Sequence, residues 1–430
     1  MTAVSSTSAD TGRPDRAAAL NARLAAWRAR YPTLPELEAP ARRRLPYFAW
    51  DFLQGGTGTE TCRERNIAAF EAVRVAPRYG VDVSRVDTSA TLFGRRYAAP
   101  LVIGAVGMDG MIWPGATTAL ARTAQAEGIA YSTGTMATAP METVAEIAPD
   151  SFWFQLYGLP GSNHRTTFDL VRRAGAAGAH ALIVTLDIPR PAKRNRDLRN
   201  GLTMPFRIRP RMMAAAAMRP HWLAAIRREG MPAFANMIPY CGASPTREDL
   251  AAFVQRERAG AFSWELVARV RETFPGPVLV KGVLHPADAE RAVELGVDGI
   301  VVSNHGGRQF DAAAAPIDVL PAIRAAAGDS TTILVDSGVM FGVDILKALA
   351  CGADGVMVGR AFMLGLAALG PDGAHHVART LIEDYAIALA QCGLVASDEA
   401  RSATVRHPNA WTEADFAGFS PPTSSRVTAP

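Results

Sequence analysis

Short runs of consecutive apolar residues recur along the chain, separated by segments of helical periodicity. In the first half they are 99–106 (APLVIGAV), 129–133 (IAYST), 151–157 (SFWFQLY) and 181–187 (ALIVTLD). The second half adds 277–283 (PVLVKGV), 299–303 (GIVVS), 332–338 (TILVDSG) and 355–360 (GVMVGR). Between them lie stretches such as 285–295 (HPADAERAVEL) and 342–350 (GVDILKALA), whose apolar positions share one helical face. A strand that is apolar throughout is covered on both faces, as in parallel sheets whose crossovers are helices. About eight such β-α units predict an α/β fold of the (β/α)8 TIM-barrel type, with an open doubly wound sheet as the competitor.

The pattern also divides the chain. Residues 1–30 read as a flexible tail, 31–98 as a helical N-terminal extension that includes LPYFAWDF at 45–52, and 99–395 as the barrel. Residues 396–430 read as a C-terminal tail. One connection breaks the short-loop habit of compact domains: 190–257, after the fourth strand, with RIRPRMMAAAAMRPHW at 207–222. Its Met, Trp and Arg suit an active-site lid or a patch resting on an anionic membrane surface, against the plainer reading of a solvated excursion containing a helix.

Composition narrows the class without changing the fold. The chain has 430 residues, 49% of them hydrophobic and 20% charged, which allows a large core. Its 45 basic and 41 acidic residues leave a net charge of +4, too small to suggest a nucleic-acid partner. Cys62, Cys241, Cys351 and Cys392 are scattered, with no CxxC pair and no histidine at metal-ligand spacing, so reduced thiols and no metal are expected. There is no signal-type apolar segment near the N-terminus and no membrane-spanning run, so a cytoplasmic protein is expected.

Candidate chemistry collects at the C-terminal ends of the predicted strands, the rim where barrel active sites are built. The third strand ends in Gln155 and Tyr157, the fourth in Thr185 and Asp187, the fifth in Lys281. The sixth ends in Ser303 and His305, the seventh in Asp336, the eighth in Gly359 and Arg360. Each has a dull alternative, a structural histidine or a turn-forming aspartate, but so many buried polar groups without a ligand would cost roughly 1–3 kcal/mol each. Gly338, Gly359 and Arg360 follow the last two strands, where barrels commonly hold a phosphate on glycine-rich turns.

The segment SNHGGRQFD at 303–311, with LVKGV at 279–283, FQLY at 154–157 and TLDIPR at 185–190, resembles the FMN-dependent 2-hydroxy-acid oxidase and dehydrogenase family. The likeness runs from about Leu45 to about Cys392. It implies an FMN-bearing barrel that oxidises a small-molecule 2-hydroxy acid to the 2-oxo acid and passes electrons to oxygen or a quinone-type acceptor. By position, His305 resembles the active-site base, Asp187 its acidic partner, Arg308 and Arg194 the substrate-carboxylate arginines, and Tyr157 a substrate hydrogen-bond donor. Lys281 resembles the cation near flavin N1 and O2; Gln155, Thr185, Ser303 and Asp336 the flavin or ribityl contacts; and Gly338, Gly359 and Arg360 the phosphate site. Relatives are often tetramers, so a homo-oligomer is expected.

Departures from the family pattern bear on the substrate. Phe52 stands after Asp51 where many relatives have a tyrosine, which removes a hydroxyl from the carboxylate site and implies a bulkier, aromatic or medium-chain (S)-2-hydroxy acid. Val339, Met340 and Phe341 stand where relatives usually carry an arginine for the flavin phosphate. Gly107, where the chain passes the flavin, and the loop from Met218 to Asn236 resemble the mandelate-dehydrogenase branch, whose loop attaches to membrane. Peripheral contact with the inner face of a membrane is therefore the companion expectation. Two other readings stay open: a family member that oxidises or oxidatively decarboxylates a specialised biosynthetic intermediate, and an inactive flavin- or phosphate-binding barrel.

Overall fold

The computed structural model describes residues 13–202, 209–257, 260 and 262–416. All eight apolar runs form strands: β1 Leu101–Ile103, β2 Ala130–Gly134, β3 Phe152–Leu156, β4 Leu182–Thr185, β5 Val278–Val283, β6 Gly299–Val302, β7 Thr332–Val335 and β8 Gly355–Val358. They pair in parallel in chain order, and β8 returns to β1 with Val356 opposite Leu101, closing the barrel.

Strand periodicity explains why the rim is polar. Val102, Ala130, Trp153, Ile183, Leu279, Val301, Leu334 and Met357 point inward and form one buried cluster. Two residues further along, the next inward positions are Gly104, Ser132, Gln155, Thr185, Lys281, Ser303, Asp336 and Gly359. The barrel is thus apolar at its base and polar or small at its C-terminal mouth. Intervening residues such as Ile103, Tyr131 and Phe154 pack in the larger cluster with the surrounding helices.

The base is plugged by a feature the sequence pattern did not predict. Ala90–Leu92 and Arg95–Tyr97 form an antiparallel hairpin. The Trp153 indole donates to Tyr97 Oη at 3.0 Å, and Phe93 meets the same ring edge-on. The expectation of a helical extension over 31–98 is corrected accordingly: helices run to Ala72, and the rest is extended chain built around this plug.

Both expected tails are also revised over their described parts. Helix α1, Arg13–Arg30, packs Trp27 edge-on against His376 and pairs Arg23 with Asp372 at 2.6 Å. Val405–Arg406 pairs antiparallel with Arg74–Val75. Residues 1–12 and 417–430 lie outside the described residues.

Two further extension helices, α2 Tyr47–Gln54 and α3 Thr61–Ala72, lie at the barrel mouth. The insertion supplies α4 Asn195–Asn200, α5 Pro210–Ala217, α6 Pro220–Glu229 and α7 Arg247–Glu257; Arg207 lies outside the described residues. Proline at the first position starts α5 and α6, where its missing N–H leaves nothing unpaired. The insertion is anchored: Trp222 is buried, donates to Ile112 O at 3.1 Å and packs edge-on against Phe48, while Arg219 Nε donates to Leu45 O at 2.9 Å.

Candidate active site

A cavity of about 540 Å³ opens at the barrel mouth, within the range of cofactor and substrate sites. Phe52, Gly107, Gln155, Tyr157, Thr185, Arg194, Lys281, His305, Arg308, Asp336, Gly338, Gly359 and Arg360 all line it. Asp187 and Ser303 do not; they stand behind His305 and Lys281 and act on the cavity through them.

The chain leaves β6 through a strained turn. His305 has φ 58° and is followed by Gly306 and Gly307 at 65° and 74°. A left-handed residue other than glycine costs on the order of 1–3 kcal/mol and persists only where its surroundings impose it. Here Ser303 Oγ accepts from His305 N at 3.0 Å, and the Asn304 side chain accepts from Gly307 N at 3.2 Å. Asn304 is buried and exchanges amide hydrogen bonds with Asn66 of α3 at 2.6 and 2.9 Å. Gly307 is required: a Cβ there would lie 2.9 Å from Arg63 N. Downstream, Asp311 accepts from the Thr59 and Cys62 amides, each at 2.9 Å, tying the motif to the start of α3.

His305 Nδ1 lies 2.9 Å from Asp187 Oδ1. Burial would raise the Asp187 carboxyl, but His305 and then Lys281 outweigh it and hold the group below the usual carboxylate range. With Asp187 ionised, Nδ1 donates to it, which leaves Nε2 as the free nitrogen. Gln309 Nε2 donates to Asp187 O at 3.2 Å and steadies the same residue. The Tyr157 hydroxyl is pushed up to about 12 by burial and by the charge of Asp187, so it stays a donor.

Lys281 Nζ lies 2.5 Å from Ser303 Oγ, 3.0 Å from Asp336 Oδ2 and 3.9 Å from Asp187 Oδ2. Burial opposes its charge, but Asp336 and Asp187 raise it, so the ammonium is retained. Gln155 Nε2 donates to Thr185 Oγ1 at 2.8 Å across the adjoining strands.

The arginines are held differently. Arg308 Nη1 donates to Phe52 O and Gly55 O, both at 2.8 Å, and Arg360 Nε donates to Leu53 O at 3.2 Å. These carbonyls belong to the C-terminal end of α2, where the unpaired acceptors and the helix dipole favour cations. Among the described residues neither guanidinium has an ion-pair partner. Burial, reinforced by Arg194 and Arg360, lowers Arg308 well below its ordinary value; burial and Arg63 bring Arg360 down to about 10. Buried cations without carboxylates call for anions. Arg194 is half satisfied, with Nε 3.3 Å from Asp197 Oδ2. The guanidinium carbons of Arg308 and Arg194 both lie over the Phe52 ring, 5.0 and 5.6 Å from its centroid.

Several site groups carried no period-two signal and were missed: Asn66, Asn304, Gln309, Asp197 and Arg63. Ser337, at φ 71°, donates to Asp336 Oδ1 at 2.7 Å and accepts from Gly306 N at 2.9 Å. Each lies in a turn or on an extension or insertion helix, where strand alternation says nothing.

The residues fit a flavin nucleotide. Lys281 suits the electron-rich edge of the ring, Ile183 and Met357 give apolar walls, and the unpaired Arg360 beside Gly338 and Gly359 suits the phosphate. Fold and site together define a barrel oxidoreductase that holds an anionic cofactor against a carboxylate-bearing substrate.

The chain belongs to the FMN-dependent dehydrogenase family, whose model matches residues 41–407. It is 37% identical over 355 residues to an L-lactate dehydrogenase of Caulobacter vibrioides, covering 82% of this chain and 92% of that protein. It is 36% identical over 353 residues to the (S)-mandelate dehydrogenase of Pseudomonas putida, covering 82% and 88%. Among solved structures, the monotopic membrane protein (S)-mandelate dehydrogenase superposes with a TM-score of 0.81 at 34% identity, over 87% of this chain and 99% of the other. A mandelate oxidase with (S)-4-hydroxymandelic acid gives 0.75 at 36% identity, over 87% and 99%. FMN is therefore the cofactor, and the protein is an oxidoreductase acting on 2-hydroxy acids.

Proposed function

We propose that this enzyme oxidises an aromatic or medium-chain (S)-2-hydroxy acid to the 2-oxo acid, with His305 as the base. The observation that carries the reading is the Phe52 ring in contact with both Arg308 and Arg194, which gives the proposed carboxylate clamp an apolar wall without a hydroxyl. Ile188, Leu198, Leu202, Phe234 and Val254 line the same cavity and offer a bulky side chain an apolar surface. Relatives named for mandelate support the same size class.

In this reading Arg308 and Arg194 grip the substrate carboxylate and so fix which face of the α-carbon is presented, turning binding into orientation. Tyr157 donates a hydrogen bond to the bound acid. His305 Nε2 takes the hydroxyl proton as the carbonyl forms, and Asp187 stabilises the resulting imidazolium. Bound FMN supplies the acceptor for the two electrons of the α-carbon C–H bond. Lys281 offsets negative charge at the flavin's pyrimidine edge, held by Ser303 and Asp336. Gln155, Thr185 and Gly107 would border the flavin, and Gly338, Gly359 and Arg360 would hold the phosphate.

Contact with the inner face of a membrane is supported by exposed Met213 and Met218, near exposed Arg211, Arg227 and Arg228, on and beside α5 and α6, and a quinone-type acceptor is the reading that goes with such contact. No helix among the described residues is long and apolar enough to cross a membrane. Oxygen is the alternative acceptor. An apolar surface groove bordered by exposed Tyr79 and Ile387 supports contact between copies of this chain; the cytoplasmic homotetramer itself rests on the family resemblance.

The substrate reading is tested by comparing kcat/KM for (S)-mandelate and (S)-lactate. Wild type should favour mandelate by about tenfold or more, the discrimination an apolar pocket provides. Phe52→Tyr, which restores a hydroxyl beside the clamp, should shift the ratio toward lactate by about tenfold, the worth of one hydrogen bond. A ratio near unity in wild type, or one that Phe52→Tyr leaves unmoved, contradicts the assignment.

A further inference from the structure

The phosphate end of the cavity carries a second cation, Arg63, from outside the barrel. Arg63 lies in the first turn of α3, and its backbone N packs against Gly307. One turn on, Asn66 O would be 2.5 Å from a Cβ at Gly338, so α3 rests directly on the two glycine turns. The Arg63 side chain is 24% exposed and lines the same cavity as Arg360, Gly338 and Gly359.

Its existing partners are weak. Arg63 Nη1 donates to Gln54 O at 3.3 Å, and Nη2 stands 3.6 Å from Glu38 Oε1, on a carboxylate that is itself 45% exposed. Arg360, by contrast, is bound only to main-chain carbonyls among the described residues, Leu53 O and Gly306 O. Two guanidiniums are therefore held at one end of a largely buried cavity, with Glu38 loosely placed beside Arg63 and the more distant Glu60 already bound to Arg196. The turn after β7, Val339-Met340-Phe341, brings no cation of its own. Like charges in such a place destabilise each other unless an anion lies with them.

We propose that Arg63 and Arg360 together hold the terminal phosphate of FMN, so that the N-terminal extension supplies one of the two phosphate cations and Glu38 is its counter-ion when the phosphate is absent. Cofactor affinity then depends on how α3 is seated on Gly307 and Gly338. Retention of FMN is coupled to the extension as well as to the barrel.

The test compares FMN with riboflavin, which has the same ring and ribityl chain but no phosphate. Dissociation constants are read from quenching of flavin fluorescence on titration into apoprotein made from the full chain. Arg63→Gln should weaken FMN by about tenfold or more, the loss expected for a charge-assisted hydrogen bond, and leave riboflavin within about twofold of wild type. Arg63→Lys should recover part of the loss, since it keeps the charge but not the fork. Glu38→Gln should tighten FMN and not riboflavin, because it removes a competing carboxylate. An unchanged FMN constant in Arg63→Gln, or equal weakening of FMN and riboflavin, overturns the proposal.

Discussion

At the residue scale, the site is a set of groups whose charge is fixed by their neighbours. Asp187 is the clearest case, a buried carboxyl kept ionised because His305 and Lys281 outweigh burial. Its folded value lies below the unfolded one, so its contribution to stability is complete above about pH 4 and is lost as pH falls through the folded value. Asp187→Asn removes that dependence. Its urea midpoint should change less between about pH 5 and pH 3 than that of wild type. The same variant should lose at least about a hundredfold in turnover while keeping its flavin spectrum, because the imidazole is no longer held with Nε2 free. An acid profile parallel to wild type would show that His305 is oriented by something else. His305, Lys281 and Asp187 were legible in the sequence because they sit on or just beyond strand ends, whereas Arg308 was named only through the family resemblance. Arg63, Asn66 and Asp197 were not, because a helix in an extension or insertion announces only its own amphipathicity.

At the element scale, α2 and the segment 303–311 do most of the positioning. The C-terminal carbonyls of α2 hold Arg308 and Arg360, and Asn304 and Asp311 lock the segment onto α3. SNHGGRQFD is crowded because one strand end must place His305, admit α3 at Gly307 and seat an extension whose sequence lies far upstream. The existence of the strands followed from apolar runs with no alternation; the hairpin under the barrel was hidden because ATLFGRRY offers only two very short strands around a two-residue turn. The insertion illustrates the same limit. Its length set it apart, but Trp222 and Arg219 anchor α6 to Phe48 and Leu45 of the extension and to Ile112 after β1, partners that sequence spacing does not reveal. On and just after α5, Met213 and Met218 are 58% and 66% exposed. The full-length enzyme should sediment with anionic phosphatidylglycerol vesicles at low salt, and Met213→Asp with Met218→Asp should weaken that binding by about tenfold or more. Equal sedimentation of wild type and the double variant would leave the insertion without a membrane role.

At the scale of the whole molecule, the barrel has a built-in polarity. Aromatic residues of the hairpin fill its base, one inward layer of apolar side chains that includes Trp153 follows, and the next inward layer is polar or glycine. That order was largely readable in advance, since each strand passes from an apolar residue to a polar or small residue two positions later. The sequence alone did not show that the mouth is roofed by the extension and the insertion together, because that closure depends on contacts such as Arg196 with Glu60 at 2.5 Å and Asn200 with Asp51 at 2.8 Å. The central claim is that this roofed mouth draws two electrons from a 2-hydroxy acid with His305 as base. It is tested most directly by anaerobic stopped-flow mixing of the FMN-loaded enzyme with (S)-mandelate while flavin absorbance is followed. Rapid bleaching in wild type, slowed by about 10²–10⁴-fold in flavin-replete His305→Ala, is the predicted result. Flavin that stays oxidised in wild type across a panel of (S)-2-hydroxy acids, or bleaching at the same rate without the His305 imidazole, would contradict it.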